Sequence, residues 1–138
     1  GLSQDSLHML MTCEPQIKEI GDLISRTDVL LFGIGTAMRM ADQRHIADDV
    51  RKQLVDNHAV GEALGQYCDI DGKLIYSTNN IGLSLPDVAK IPNVIAVAGG
   101  QDKSSAIIGV MRACQKGILI IDEQAAEGMR QLLQISAL

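Results

Sequence analysis

Two glycine-bearing segments and one isolated carboxylate are the places where this sequence sets residue types able to hold a charged small molecule. Gly99-Gly100-Gln101-Asp102-Lys103 follows an apolar run and precedes a helical pattern. Paired glycines let a backbone approach a ligand closely, and the start of the next helix offers free N–H groups to an anion. Lys103, in the first turn of that helix, opposes the helix dipole by a few tenths to about 1 kcal/mol, and a bound anion would reverse the penalty. Asp102 as a helix cap, with Lys103 in solvent, accounts for the same residues equally well. Spacing alone leaves both readings open.

Gly33-Ile34-Gly35-Thr36-Ala37-Met38 closes an earlier apolar run and invites a dinucleotide reading. Met38 stands where that fingerprint has its third glycine, and the acid at a suitable distance, Asp56, falls at a helix end instead of a second strand. A tight strand-to-helix turn facing a ligand fits better. Glu62, between Gly61 and Gly65 in an apolar stretch, can accept hydrogen bonds from sugar hydroxyls or simply solvate a turn. Arg39, Gln43 and Arg44 belong to the helical segment after the first strand and are within reach of a second anionic group, although charged helix faces are usually solvated. Asp122-Glu123 suits a helix start by capping and dipole, so it carries no catalytic role.

The elements that must position these residues alternate. Ser3 caps a first helix with Leu7, Leu10 and Met11 on one face, and Pro15 opens a second whose buried stripe is Ile17, Ile20 and Ile24. Val29–Phe32, Val94–Ala98 and Ile118–Ile121 are continuous apolar runs, the pattern of strands buried on both faces. Helices are expected over Thr36–Asp42, from Asp48 with Ile46, Val50 and Leu54 on one face, over Leu85–Lys90, over Asp102–Gln115 and over Glu123–Leu133, the last burying Met129, Leu132 and Leu133. Asp71-Gly72 marks a hairpin between Gln66–Asp69 and Lys73–Tyr76. This reads as an α/β chain: a mostly parallel, Rossmann-like sheet with crossover helices and an inserted β-hairpin. Ligands in such sheets sit beyond the carboxyl ends of the strands, which selects the loops Gly33–Thr36, Gly99–Lys103 and Asp122-Glu123.

Composition excludes several functions. At 138 residues the chain is expected to be a single domain, 1–138. Its net charge of −5 and scattered lysines and arginines give no phosphate-backbone footprint, and Phe32, Tyr67 and Tyr76 as the only aromatics offer no base-stacking surface. Three separated cysteines read as reduced thiols of a cytoplasmic protein. Neither they nor His8, His45 and His58 have metal-ligand spacing, so no metal and no cofactor is expected. No stretch is long enough to span a bilayer, and no signal peptide opens the sequence. The methionines Met9, Met11, Met38 and Met40 read as core filler.

Taken in order, Gly33-Ile34-Gly35, Val60-Gly61-Glu62-Ala63-Leu64-Gly65, Ile81-Gly82-Leu83, Val94 to Gly100 with Lys103 and Ala106-Ile107, and Ile120-Ile121-Asp122-Glu123 resemble the effector-binding domain of SorC/DeoR-type transcription regulators from about Asp28 onward. The resemblance implies a fold like that of glucosamine-6-phosphate deaminase and ribose-5-phosphate isomerase. It implies a phosphorylated sugar effector, fructose 1,6-bisphosphate or a related glycolytic intermediate, in a homo-oligomeric regulator. The family's phosphate-binding lysine falls on Lys103 and its sugar-contacting glutamate on Glu62. An arginine serving a second phosphate corresponds to Gln43 here, with Arg44 beside it. The effector-site residues expected are thus Gly33, Gly35, Gln43, Arg44, Glu62, Gly99, Gly100 and Lys103. Family members also carry a helix-turn-helix and a half-domain with a phosphate loop, so the 138 residues are expected to be an incomplete part of the domain, and DNA a partner only through the segment outside it. A sugar-phosphate isomerase or deaminase, or a structural oligomerisation module, are the alternatives.

Overall fold

A computed structural model of the chain describes residues 3–134. Helix α1 (Gln4–Cys13) starts at Ser3, whose hydroxyl accepts from the Ser6 N–H, and α2 (Pro15–Ser25) starts at its proline. Strand β1 (Val29–Gly33) leads through β2 (Gly35–Thr36) into α3 (Ala37–Gln43) and α4 (Asp48–Asp56). Three short strands follow: β3 (Gly61–Ala63), β4 (Gln66–Cys68) and β5 (Leu74–Ser77). A 3-10 turn at Pro86–Lys90 precedes β6 (Asn93–Ala98), and a second at Gln101–Lys103 precedes α5 (Ser104–Cys114). Strand β7 (Ile118–Ile121) and α6 (Glu123–Leu132) complete the order.

The strands form two sheets. One is parallel, in the order β1-β6-β7, and the other antiparallel, β2-β3-β4-β5. The expected α/β class and the parallel core with its intervening helices are present. The inserted hairpin is larger than the sequence pattern indicated, because β2 and β3 extend it to four strands. Asp71-Gly72 does lie in the β4–β5 connection, but only Gly72 has positive φ. Asp69 organises this longer turn, its Oδ1 accepting from the N–H groups of Asp71 and Lys73. The β3–β4 hairpin turns on Leu64 and Gly65, both with positive φ. Such a turn normally demands Gly or Asn, and a leucine gives no signal of it.

Burial reverses the customary assignment, in which parallel strands are covered on both faces and antiparallel ones on one. Strands β3 and β4 are buried throughout. One of their faces packs against α5 in a core that includes Ala63, Cys68, Ile107 and Val110. The other face holds Tyr67 with Ala37, Ala41 and Leu54 from α3 and α4. Gly61 and Gly109 permit the α5 contact. A Cβ at Gly61 would lie 2.8 Å from the Ala106 carbonyl oxygen, and one at Gly109 would lie 2.4 Å from that of Asp69.

The parallel sheet buries Phe32, Val94 and Ala96 on its inner face, but Val29, Leu31, Val97, Ile118 and Ile120 on the other are 41–67% exposed. Register aligns Leu31, Ile95 and Ile118 in one row and Gly33, Val97 and Ile120 in the next, so this is a continuous apolar face. The expectation of strands buried on both sides is therefore corrected: no described element covers this face. The stripe Ile17, Ile20 and Ile24 is likewise not buried, since α1 and α2 contain no buried residue. At the other end α6 buries Ala125 and Gly128, while Leu132 and Leu133 stay exposed. On α5 the helical spacing puts Ile107, Val110, Met111 and Cys114 on one inward face: Ile107, Val110 and Cys114 are buried and Met111 packs partly buried against the same core. Cys68 and Cys114 are free thiols in the core, pushed up by burial to about 12 and about 11, while Cys13 is exposed.

Candidate functional site

At the carboxyl end of β1, where the two sheets meet, lies an open cleft of about 550 Å³. Gly33 and Gly35 form one rim, α3 supplies Arg39 and Gln43, its end supplies Arg44, β3 supplies Glu62, and the turn before α5 supplies Lys103. Six of the eight expected site residues are thus neighbours, although they come from segments far apart in the chain. Phe32, Ile34, Met40, Leu64 and Val97 give the cleft an apolar floor. Arg39, read from the sequence as within reach of a second anionic group, lines the cleft too. Thr36 and Leu64 were not among the expected effector ligands, and no local pattern distinguishes them from structural residues.

Gly99 and Gly100 do not line this cleft. The Gly100 N–H donates to both carboxylate oxygens of Asp122, at 2.9 and 3.1 Å. Asp122 also caps α6 by accepting from the Ala125 N–H at 2.8 Å, so the structural role expected of it is present and extends across to the glycine loop. The helix expected from Asp102 begins at Ser104 instead, after a 3-10 turn, and Asp102 makes no capping bond. That turn consumes backbone donors: the Lys103 N–H bonds the Gly100 carbonyl and the Ser104 N–H bonds that of Gln101. Gly100, with φ of 95°, makes the bend that brings Lys103 to the cleft. This segment offers an anion the lysine charge with a reduced set of amides, since those of Gly100, Lys103 and Ser104 are taken.

The electrostatics of the cleft centre on Glu62, only 3% exposed. Its Oε1 accepts from Arg44 Nη2 at 3.1 Å and from the Gly65 N–H at 2.7 Å. The second bond also holds the left-handed backbone of Leu64-Gly65. Arg39 and Lys103 make no ion pair or side-chain hydrogen bond among the described residues. Three cations therefore surround one carboxylate in a chain whose net charge is −5. Another cleft of about 530 Å³, between α1 and residues 77–84, is lined by amides, hydroxyls, Asp5, His8 and apolar side chains, without a lysine or arginine. It has no permanent cation to match a phosphate, and Asp5 would repel one.

The family model described as "Putative sugar-binding domain" matches residues 1–131. The chain belongs to this family. The sugar-binding domain is 38% identical over 114 residues to the central glycolytic genes regulator of Bacillus subtilis, covering 83% of the chain and 34% of that protein. The same regulator of Priestia megaterium is 37% identical over 123 residues, covering 89% of the chain and 36% of that protein. The sugar-binding domain thus spans about a third of the length of these curated relatives. Among solved structures, a "putative SorC family transcriptional regulator" from Enterococcus faecalis superposes with a TM-score of 0.83 at 38% identity, over 93% of this chain and 52% of that one. The expected kinship with SorC-type sugar-binding domains stands on these matches. No helix among the described residues is long and apolar enough to cross a membrane.

Proposed function

We propose that this sugar-binding domain is the effector-recognising part of a longer bacterial transcription regulator, and that its cleft takes a phosphorylated sugar. The observation that carries the reading is the charge arrangement: Arg39 and Lys103 unpaired, and Arg44 shared with the buried Glu62, on an otherwise acidic chain. Guanidinium and ammonium groups recognise phosphate, a carboxylate accepts from sugar hydroxyls, and an apolar floor suits the C–H face of a sugar ring. Lys103 takes one phosphate. Arg39 and Arg44, with Gln43 on the same lining, would take a second, which supports a bisphosphate such as fructose 1,6-bisphosphate. Similarity to regulators of glycolytic genes supports a glycolytic intermediate.

Regulation follows if the ligand binds two states of the longer protein with different affinity and so biases operator binding by a DNA-reading segment outside this chain. The uncovered apolar face of the parallel sheet supports the view that these residues are one part of a larger folded unit, completed by further residues of the same polypeptide in a homo-oligomer. A sensor fits the cleft better than an isomerase or deaminase does. General acid–base catalysis needs a pair of positioned groups, and Glu62 is the one carboxylate among the lining residues, with no histidine or cysteine beside it.

Titration with fructose 1,6-bisphosphate, fructose 6-phosphate and fructose, followed by thermal melting, tests this on the chain and on the longer regulator. Saturation at 100 times Kd should stabilise by about 2.7 kcal/mol. The phosphorylated sugars should raise Tm, the bisphosphate more strongly, and fructose should not. Equal effects of fructose and its phosphates would remove the reading.

A further inference from the structure

Tyr67 is fully buried, and its hydroxyl is the one buried side-chain polar atom among the described residues without a hydrogen-bond partner. An orphaned donor of this kind is costly and calls for an explanation. Tyr67 stands directly opposite Glu62 across β3 and β4. Both therefore project from the same face of the sheet. Glu62 spends Oε1 on Arg44 and Gly65, and among the described residues Oε2 accepts no hydrogen bond. The phenol is pushed up to about 12, first by burial and then by the Glu62 charge, with Arg44 acting in the opposite sense. It is a neutral donor at any physiological pH.

Resting on the anion-binding reading of the cleft, we infer that Tyr67 is a positioning residue in a ligand-driven exchange of partners: the anionic group of the ligand draws Arg44 off Glu62, and the Tyr67 hydroxyl donates to the released carboxylate. Arg44 is 39% exposed and Glu62 3%, so the guanidinium can swing toward a ligand in the open cleft while the carboxylate stays buried beside Tyr67. A buried carboxylate that loses its cation is strongly destabilised unless another donor replaces it. Tyr67 supplies that donor. Its ring is fixed among Ala37, Ala41 and Leu54 and against Tyr76, whose centroid lies 6.0 Å away, so the flexible glutamate makes the movement. The empty arrangement satisfies the ion pair and strands the hydroxyl, while the occupied one satisfies both Arg44 and Tyr67. Ligand therefore favours one of two discrete arrangements at the joint between β3, β4 and α3, the condition for a switch.

Isotope labelling of tyrosine is informative because Tyr67 and Tyr76 are the only two tyrosines and there is no tryptophan. The experiment follows the 13Cζ resonances of wild type, Tyr67→Phe and Arg44→Gln during titration with fructose 6-phosphate and with inorganic phosphate, together with ligand-free melting. The Tyr67 signal should shift when either anion binds, and in Arg44→Gln it should sit near the shifted position without ligand. Tyr67→Phe should melt no lower than wild type when empty and bind fructose 6-phosphate about tenfold more weakly. Binding with an unmoved Tyr67 signal, wild-type affinity in Tyr67→Phe, or a lower ligand-free melt in that variant (the mark of a hydroxyl already bonded, for example to water) would each overturn the exchange alone. A wild type that binds neither probe would overturn the functional reading, and the exchange with it.

Discussion

Replacing Lys103 by alanine is expected to weaken sugar-phosphate binding by about 1.5–3 kcal/mol, the range for a charge-assisted hydrogen bond. That is roughly a tenfold to hundredfold rise in Kd. The lysine carries this weight because three of the amides near it are committed: those of Lys103 and Ser104 close the 3-10 turn, and that of Gly100 holds Asp122. Ligand-free stability should hardly change, or rise slightly, since Lys103 has no partner to lose among the described residues and sits at the unfavourable end of the α5 dipole. Calorimetric titration of the variant, with its ligand-free melting curve, separates the two effects. Unchanged affinity would make Lys103 a solvated surface residue and leave the phosphate to Arg39 and Arg44.

The second large effect belongs to the fold. Gly109→Ala is expected to destabilise by about 2–3 kcal/mol or more, because its Cβ would lie 2.4 Å from a backbone oxygen and 2.9 Å from Val60 Cγ2. The backbone of the turn at Asp69 cannot rotate out of the way as a side chain can. A fall in Tm of roughly 5–10 °C follows for a chain of this size. Gly21→Ala is the control: nothing lies within 4 Å of a Cβ there, and it is in α2. Alanine at that site should stabilise by about 0.5–1 kcal/mol through helix propensity. Equal melting temperatures for the two variants would mean that α5 does not press on the antiparallel sheet as tightly as these distances require.

The contrast between these two glycines also marks what a single sequence discloses. The apolar runs at Val29, Val94 and Ile118 located all three parallel strands, and the face of α5 was readable from Ile107, Val110 and Cys114. The same runs misled about burial, because unbroken hydrophobicity states what a strand can be covered by and not whether the cover lies within these residues. Leu64 hid the first hairpin, since nothing about leucine announces a left-handed backbone. That conformation is held by a buried side chain two residues earlier. The candidate site was legible as residue types, Glu62, Arg44 and Lys103 among them. Its pairings were not, because Arg44 with Glu62, Gly100 with Asp122 and Glu62 opposite Tyr67 are all tertiary. Gly99 and Gly100 illustrate the limit: their spacing suits an anion loop, yet the amide that would serve it is occupied by a carboxylate reached through β7.

The joining of two sheets at one cleft has a consequence in time. Strands β3, β4 and β5 pair through successive hairpins, whereas Val29 meets Asn93 only after the whole intervening chain has been arranged. Closing that long loop is the slow step, while hairpins form locally and early. Gly33 and Val97 reach the cleft from the late-forming sheet and Glu62 from the early one, so the cleft is completed last. Contacts absent from the transition state alter the rate of unfolding and leave the rate of folding alone. Stopped-flow mixing with fructose 1,6-bisphosphate should accordingly slow unfolding in proportion to occupancy without accelerating refolding. A ligand that sped refolding would place the meeting of the two sheets within the folding nucleus.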